Sequence, residues 1–357
     1  MVIPWLGLHD FRNYQTLDLH LEPKINLIYG SNGQGKTNIL EALYLLTHLR
    51  SYRAQRLKPL LKSGKDQARV SGIIEENQVK HQIQLEIFPQ NKRVLMDSKN
   101  LQYSSDYIQK FFSLLFAPDL LSRFKEFPVE RRSFFDRALC LLDPGYFPKL
   151  KEFERLKAQK NKNLKERKNQ TLDTWNQMLA QVIPELVASR NQLIEELNQK
   201  IQGFFQSLCS SDGEFKIIYK ADCKEATSQE VLQILEQKKE AEQEQGFCAV
   251  GPHKDNYLMT METKVDRLGF SQGEYRLAFL ALLLGLNQVF WERLKYCPLL
   301  LFDDLFSELD NQTCDSLMAY FKTIENQIII TSTDVPQGFK QSKGMFRVEK
   351  AQVFVNT

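Results

Sequence analysis

Eight residues near the start of the chain have the make-up of a phosphate cradle. Gly30-Ser31-Asn32-Gly33-Gln34-Gly35-Lys36-Thr37 follows the pattern Gly-x-x-x-x-Gly-Lys-[Ser/Thr]. In such a loop the glycines let backbone N–H groups wrap the phosphates. The lysine ammonium reaches the β- and γ-phosphates, and the Thr37 hydroxyl is a Mg²⁺ ligand. The expected ligands are therefore ATP and Mg²⁺. Asn38, the next residue, is counted with the nucleotide-binding set. Far downstream, Leu299-Leu300-Leu301-Phe302-Asp303-Asp304 reads as an apolar strand ending in two carboxylates. A carboxylate at the end of a buried strand suits a water-mediated hold on Mg²⁺, a role assigned to Asp303. Asp304 would then sit beside the attacking water and polarise it. Lys36, Asp303 and Asp304 are the expected catalytic groups.

Three shorter segments add to these. Ser271-Gln272-Gly273-Glu274 opens a helix ahead of the acidic strand, and Ser307-Glu308-Leu309-Asp310 follows that strand directly. Phe11-Arg12-Asn13-Tyr14 precedes the glycine-rich loop, and Arg12 and Asn13 are placed with the nucleotide-binding residues. A hydroxyl and a glycine at a helix start suit an anion, although a lone Ser-x-Gly is usually just an N-cap.

The elements that must position these groups are legible from periodicity. Thr16–Leu21 alternates as a half-buried strand, and Ile25–Tyr29 is an apolar run ending at Gly30. Residues 36–49 carry apolar side chains at helical spacing, so a helix N-terminus faces the loop. Arg69–Ile74 and Val79–Phe88 read as strands joined by a polar turn. A Lys-, Glu- and Gln-rich helical stretch over about 119–246 is interrupted by one strand, Glu214–Tyr219. Further helices are expected over 271–294 and 312–324, with buried strands at Leu299–Phe302 and Ile328–Thr331. The fold expected is α/β: a head built from 1–118 and 247–357 with a mainly helical insertion at 119–246.

Composition agrees with an ordinary soluble protein. Of 357 residues, 43% are hydrophobic and 25% charged, with a net charge of +3. Any nucleic-acid surface must come from local clustering. Six scattered cysteines have no Cys-x-x-Cys pair, which argues against zinc and disulfides. The first residues lack the basic and apolar regions of a signal peptide. The apolar stretch Leu277–Leu286 is half a membrane span and is expected in an amphipathic helix. Arg53, Arg56, Lys58 and Lys62 cluster after the first helix. Lys149–Lys168 carries nine Lys/Arg against three Glu, including Lys157, Lys160, Lys162 and Lys165. These are candidate phosphate contacts, and no base-reading motif accompanies them.

The order of the motifs resembles that of ABC/SMC ATPase heads: Walker A, a Ser-x-Gly signature, Walker B, then a D-loop at Ser307–Asp310. In such heads the signature helix completes the site of a second subunit. The resemblance therefore implies a homodimer closed by two ATP molecules and released by hydrolysis. SMC proteins insert hundreds of coiled-coil residues, which this chain lacks. Its segments LGLHDFRNYQTLDLHLEPKINLIYGSNGQGKTNILEALYLL, FAPDLLSRFKEFPVERRSFFDRALCLLDPGYF, LDTWNQMLA, GPHKDN and LLLFDDLFSELD resemble the RecF family of DNA replication and repair proteins. That resemblance implies slow ATP hydrolysis and binding to duplex DNA and single-strand/duplex junctions. It also implies RecR and RecO as partners in loading RecA at gaps and in the SOS response, a cytoplasmic location and no membrane. Ala117, Glu126 and Leu49 depart from residues expected of the family. Thr331-Ser332-Thr333-Asp334 stands where transporter ATPases carry a switch histidine. An ABC transporter subunit and an ATP-binding scaffold with negligible turnover are the alternatives.

Overall fold

The computed structural model describes residues 1–101, 107, 109–209, 213–224, 227–261, 264–265, 269–336, 339 and 344–355. The chain opens with β1 (Val2–Phe11), β2 (Tyr14–His20), β3 (Ile25–Tyr29) and α1 (Lys36–His48). Strands β4 (Ala68–Glu76), β5 (Val79–Ile87), β6 (Lys92–Met96), β7 (Lys99–Asn100) and β8 (Ser113–Phe116) follow. Next come α2 (Pro118–Glu126), α3 (Pro128–Leu142), α4 (Tyr146–Lys165), α5 (Leu172–Leu208), β9 (Phe215–Lys220), α6 (Ser228–Gln237), α7 (Lys239–Gln245), β10 (Asn256–Met261) and β11 (Lys264–Val265). The last elements are α8 (Gln272–Leu294), β12 (Leu299–Phe302), α9 (Asn311–Thr323), β13 (Ile328–Ser332), β14 (Met345–Glu349) and β15 (Gln352–Val355).

Two compact units result. The first comprises Met1–Arg123, Gly203–Asp212 and Ser271–Thr357, the second Phe124–Gln202 and Gly213–Phe270. The first unit holds two sheets. One has the order β2-β1-β4-β5-β6-β7 and is antiparallel throughout. Its β4–β5 hairpin turns on Asn77 and Gln78, both at positive φ, as a two-residue hairpin loop requires. The other sheet has the order β15-β14-β3-β13-β12-β8, parallel except for β15. Its parallel strands β8, β12 and β13 are buried at every residue, which explains their largely apolar sequences.

Register decides where chemistry can happen. Phe302 lies opposite both Phe116 and Ile330, and Ser332 lies opposite Tyr29. The C-terminal ends of β3, β13 and β12 are therefore neighbours, at the edge where ligands bind in open parallel sheets. Helix α8 is buried on all sides from Ala278 to Leu286, so it is a core helix and not the amphipathic one expected. It is long and apolar enough to cross a membrane by composition, but most of it is buried in the protein.

The boundaries expected at 118/119 and 246/247 differ from the observed division. Residues 247–270 group with the second unit because β10 pairs with β9 along its whole length. The end of α5 groups with the first unit: Thr313 donates to the Leu208 carbonyl at 3.2 Å, and Phe204 packs edge-on against Tyr320.

The second unit is organised around buried charge. Arg190, 2% exposed, donates to both carboxylate oxygens of Asp136 at 2.8 and 3.0 Å and to Asp255 at 2.7 Å. It also bonds the Tyr146 hydroxyl and the Pro252 carbonyl. The FFDRALCLLDPGYF and GPHKDN segments thus meet at one guanidinium. Lys160 is a second case. It is fully buried and paired with Glu242 at 2.5 Å, Glu242 being only 1% exposed. Lys160 is therefore not available to DNA, contrary to the expectation from charge alone. It lies on the α4 stripe Phe153, Leu156, Lys160, Leu164, whose spacing marks an inward face. Removing one partner of a buried pair strands the other, at about 3–5 kcal/mol. Lys160→Ala should lower unfolding stability by that amount in denaturant titration, whereas Lys162→Ala, on the exposed face, should change it by under about 0.5 kcal/mol.

Candidate functional site: a phosphate loop facing two carboxylates

The loop Gly30–Thr37 joins β3 to α1, with Ser31, Asn32 and Gly33 exposed at its tip. Its shape is imposed by neighbours. Gly30 has φ 148°, and a Cβ there would lie 2.3 Å from the Val348 carbonyl oxygen of β14. Gly35 has φ 115°, and a Cβ would lie 2.7 Å from the Asn13 amide nitrogen and 2.8 Å from the Tyr14 hydroxyl. Gln34 is held by the β14–β15 turn: its carbonyl accepts from Ala351 at 3.2 Å and its side chain from Lys350 at 2.5 Å. No side chain caps α1, and the Asn38 and Ile39 N–H groups donate to the Gly35 carbonyl at 3.0 and 3.3 Å, so the positive end of the helix adjoins the loop.

The FRNY segment supports this loop. Asn13 donates to the Gln34 carbonyl at 3.2 Å and accepts from Asn38 at 2.8 Å, and Tyr14 donates to the Gly35 carbonyl at 3.2 Å. Arg12, counted with the nucleotide-binding residues, turns its side chain toward α1. Its fork grips Glu41 at 2.8 and 2.7 Å and the Pro59 carbonyl at 2.8 Å. Glu41 is fully buried in α1 and also accepts from Ser51 at 2.5 Å. Arg12 therefore positions the loop helix. Glu41 belongs to none of the sequence motifs, although a carboxylate amid Ile39, Leu40, Ala42 and Leu43 is itself a signal of a buried partner.

Lys36 lies back across the loop, donating to the carbonyls of Gly30 at 2.5 Å and Ser31 at 3.0 Å. Burial lowers its pKa, opposed by the carboxylates of Asp304, Asp303 and Asp334. Opposite stands Asp303, 7% exposed. One of its oxygens, Oδ1, accepts from the Thr37 hydroxyl at 3.0 Å and the Thr331 hydroxyl at 2.7 Å. Burial raises the Asp303 pKa, and the two hydroxyl donors hold it down in part. Asp304 has φ 52°, and its N–H donates to Thr331 at 2.9 Å. Its Oδ1 is buried without a hydrogen-bond partner. A buried carboxylate sharing a threonine hydroxyl, beside an orphaned carboxylate oxygen, is a hard-oxygen set suited to Mg²⁺ and a water. Among the described residues no group of three or more His, Cys, Asp or Glu side chains could hold a metal by itself.

The remaining expected residues fall into three sets. Ser271 and Glu274 form a reciprocal capping box at the exposed start of α8, with Ser271 N–H donating to Glu274 at 2.7 Å and Glu274 N–H to Ser271 at 3.2 Å. Gln272 and Gly273 are exposed beside them, and nothing lies within 4 Å of the Gly273 Cβ direction. Ser307 donates to the Asp304 carbonyl at 3.1 Å, and Leu309 is partly exposed. Asp310 caps α9 by accepting from Thr313 N–H at 2.9 Å, which holds its pKa down. The Glu308 side chain lies outside the described residues. Of the basic candidates, Arg53 is drawn into the loop site: it donates to Asn38 at 3.0 Å and to Asp119 at 3.2 Å. Lys62 donates to the Asn13 carbonyl, and Lys157 pairs with Glu154 on its own helix. Arg56, Lys58, Lys162 and Lys165 are exposed.

Sheet order and site together define a P-loop ATPase head of the SMC type. An SMC head from Pyrococcus furiosus shares the fold, with a TM-score of 0.61 at 17% identity over 99% of this chain and 96% of that one. Residues 2–356 match the RecF/RecN/SMC N terminal domain family. The DNA replication and repair protein RecF of Geobacter sp. (strain M21) is 30% identical over 98% of both chains, and that of Agathobacter rectalis 31% over 99% of both. A solved structure of the recombination mediator protein RecF-ATP in the RecFOR pathway superimposes with a TM-score of 0.89 at 25% identity, covering 100% of this chain and 98% of that one. The chain belongs to the RecF family.

Gly35→Ala should abolish nucleotide binding in calorimetric titration while leaving the protein folded. Its methyl group would displace Asn13 and Tyr14 and strain a positive φ. Wild-type affinity in a folded variant would contradict the loop geometry.

Proposed function

We propose that this protein is an ATP-dependent DNA clamp in replication and repair that dimerises on ATP and hydrolyses it slowly. The observation that carries the reading is the meeting of Lys36, Thr37, Asp303 and Asp304 at one sheet edge, with an exposed Ser-x-Gly helix start available to a second copy. The solved RecF-ATP relative supports ATP as the nucleotide. Lys36 would leave the loop carbonyls for the β- and γ-phosphates. Thr37 and Asp303 would hold Mg²⁺, which offsets phosphate charge. Asp304 would orient a water and take its proton as the water oxygen bonds the γ-phosphorus and the bond to the β–γ bridging oxygen breaks, giving ADP and phosphate. Ser271-Gln272-Gly273-Glu274 would complete the partner's site at the γ-phosphate, and Ser307–Asp310 would line the same interface. RecR and RecO are the proposed protein partners, RecA loading at gaps the proposed outcome, and the cytoplasm the proposed location.

For DNA we infer a basic surface on each unit, with Arg56 and Lys58 on the first and Lys162 and Lys165 on the second. Neutralising all four should weaken duplex binding and flatten the slope of log K against log salt by roughly one unit for each phosphate left without its cation. An unchanged slope would move the surface elsewhere.

Asp304→Asn should retain ATP binding and lose about 10²–10⁴-fold in turnover. Wild-type turnover would remove Asp304 from the base role. The shared site has its own test. Ser271→Arg and Lys36→Ala should each be inactive, while their mixture should regain partial ATPase from one intact P-loop facing one intact signature. Wild-type hydrolysis by Ser271→Arg alone would refute the composite site.

A further inference from the structure

Strand β13 lies between the two halves of the site. It pairs with β3, which leads into the phosphate loop, and with β12, which ends at Asp303. Its last two residues reach in both directions. The Thr331 hydroxyl donates to Asp303 Oδ1 at 2.7 Å and accepts the Asp304 N–H at 2.9 Å, while the Ser332 carbonyl accepts the Gly30 N–H at 3.2 Å. We propose that Thr331 is a positioning residue for the nucleotide-bound cation: its one hydroxyl orients the Asp303 carboxylate and fixes the turn that aims Asp304, on a strand tied through Ser332 to the phosphate loop. This inference rests on the nucleotide-site reading above.

The case is one of hydrogen-bond capacity. A hydroxyl has one proton to donate and lone pairs to accept with, and Thr331 is bonded in both senses to the two acidic residues. Asp303 Oδ1 has two side-chain donors, Thr37 and Thr331. When the Thr37 hydroxyl turns to a cation, the Thr331 hydroxyl still orients that oxygen. Asp304 adopts a left-handed conformation that is uncommon outside glycine, asparagine and aspartate, and the Thr331 oxygen accepts its N–H there. The β-strand does not itself require a hydroxyl at this position. Thr331 is 1% exposed among β13 residues that are otherwise mostly isoleucine, and valine would fill the same shape. Outer-shell donors of this kind orient first-shell ligands, and their loss reduces metal affinity by about 10–100-fold.

The test uses full-length Thr331→Val and Thr331→Ser beside the wild type. Calorimetry gives ATPγS affinity with and without Mg²⁺, and Mn²⁺ titration followed by electron paramagnetic resonance gives cation affinity in the nucleotide complex. Thr331→Val should keep the metal-free nucleotide affinity and lose about 10–100-fold in Mn²⁺ affinity, and Thr331→Ser should recover most of it. Thr331→Ala against Thr331→Ser repeats the comparison with the methyl group removed from both, should the valine variant not fold. Wild-type Mn²⁺ affinity in the hydroxyl-free variants, or a serine variant as weak as alanine, would overturn the assignment. A wild type whose nucleotide binding does not respond to Mg²⁺ would overturn the underlying site reading, a result separable from either of these.

Discussion

A hydrogen bond between Thr37 and Asp303 joins residues 266 positions apart, and the candidate site exists only because the fold closes that distance. Neither half is complete alone. The phosphate loop supplies glycine amides, Lys36 and Thr37, whereas the carboxylates arrive on β12 from beyond the second unit. The parallel sheet makes the join. With β13 between β3 and β12, three consecutive strand ends lie side by side, and their side chains meet over their C-terminal edge. The antiparallel sheet contributes from the other side. The β1–β2 turn presents Asn13 and Tyr14 to the loop, and Arg12 ties that turn to Glu41 in α1.

The loop is preorganised by crowding as much as by hydrogen bonding. At Gly30 and Gly35 the neighbouring backbone and side chains leave no space for a Cβ. Lys36 meanwhile is satisfied by loop carbonyls and attracted by three carboxylates. An incoming polyphosphate would therefore exchange contacts of the ammonium without rebuilding the loop. The same economy of motion applies to Asp303, already oriented by two hydroxyls. Asp304 keeps a buried oxygen without a partner, an arrangement that is unfavourable in a folded protein and is found where a ligand or water supplies the missing bond.

Much of this arrangement is legible in the amino-acid sequence. The phosphate loop is local in the chain, so its residues and helix follow from one stretch, and β3, β12 and β13 declare themselves as apolar runs. What stays hidden depends on sheet order. Thr331 closes an apolar run and opens a Thr-Ser-Thr stretch, and its role follows from β13 lying beside β12. The reason for Gly30 is visible only once β14 is known to lie beside β3. Charge misleads in two ways. Lys160 belongs to a basic run but stands on an inward stripe, where Glu242 neutralises it. Arg53 belongs to a basic cluster yet turns toward Asn38 and Asp119. Composition counts charges without saying which way they face. The second-unit boundary eludes sequence for a similar reason: residues 247–270 resume strand character, but their partner is β9 and not the head sheets.

The proposed mechanism makes the head incomplete as a single copy, because the exposed start of α8 would contact only a partner's nucleotide. The solution mass therefore tests the central claim most directly. Light scattering on the wild-type protein with Mg²⁺ and ATP should give twice the 41.7 kDa of one chain, and with ADP or no nucleotide a single chain. The same mass in all three conditions would contradict an ATP-closed dimer.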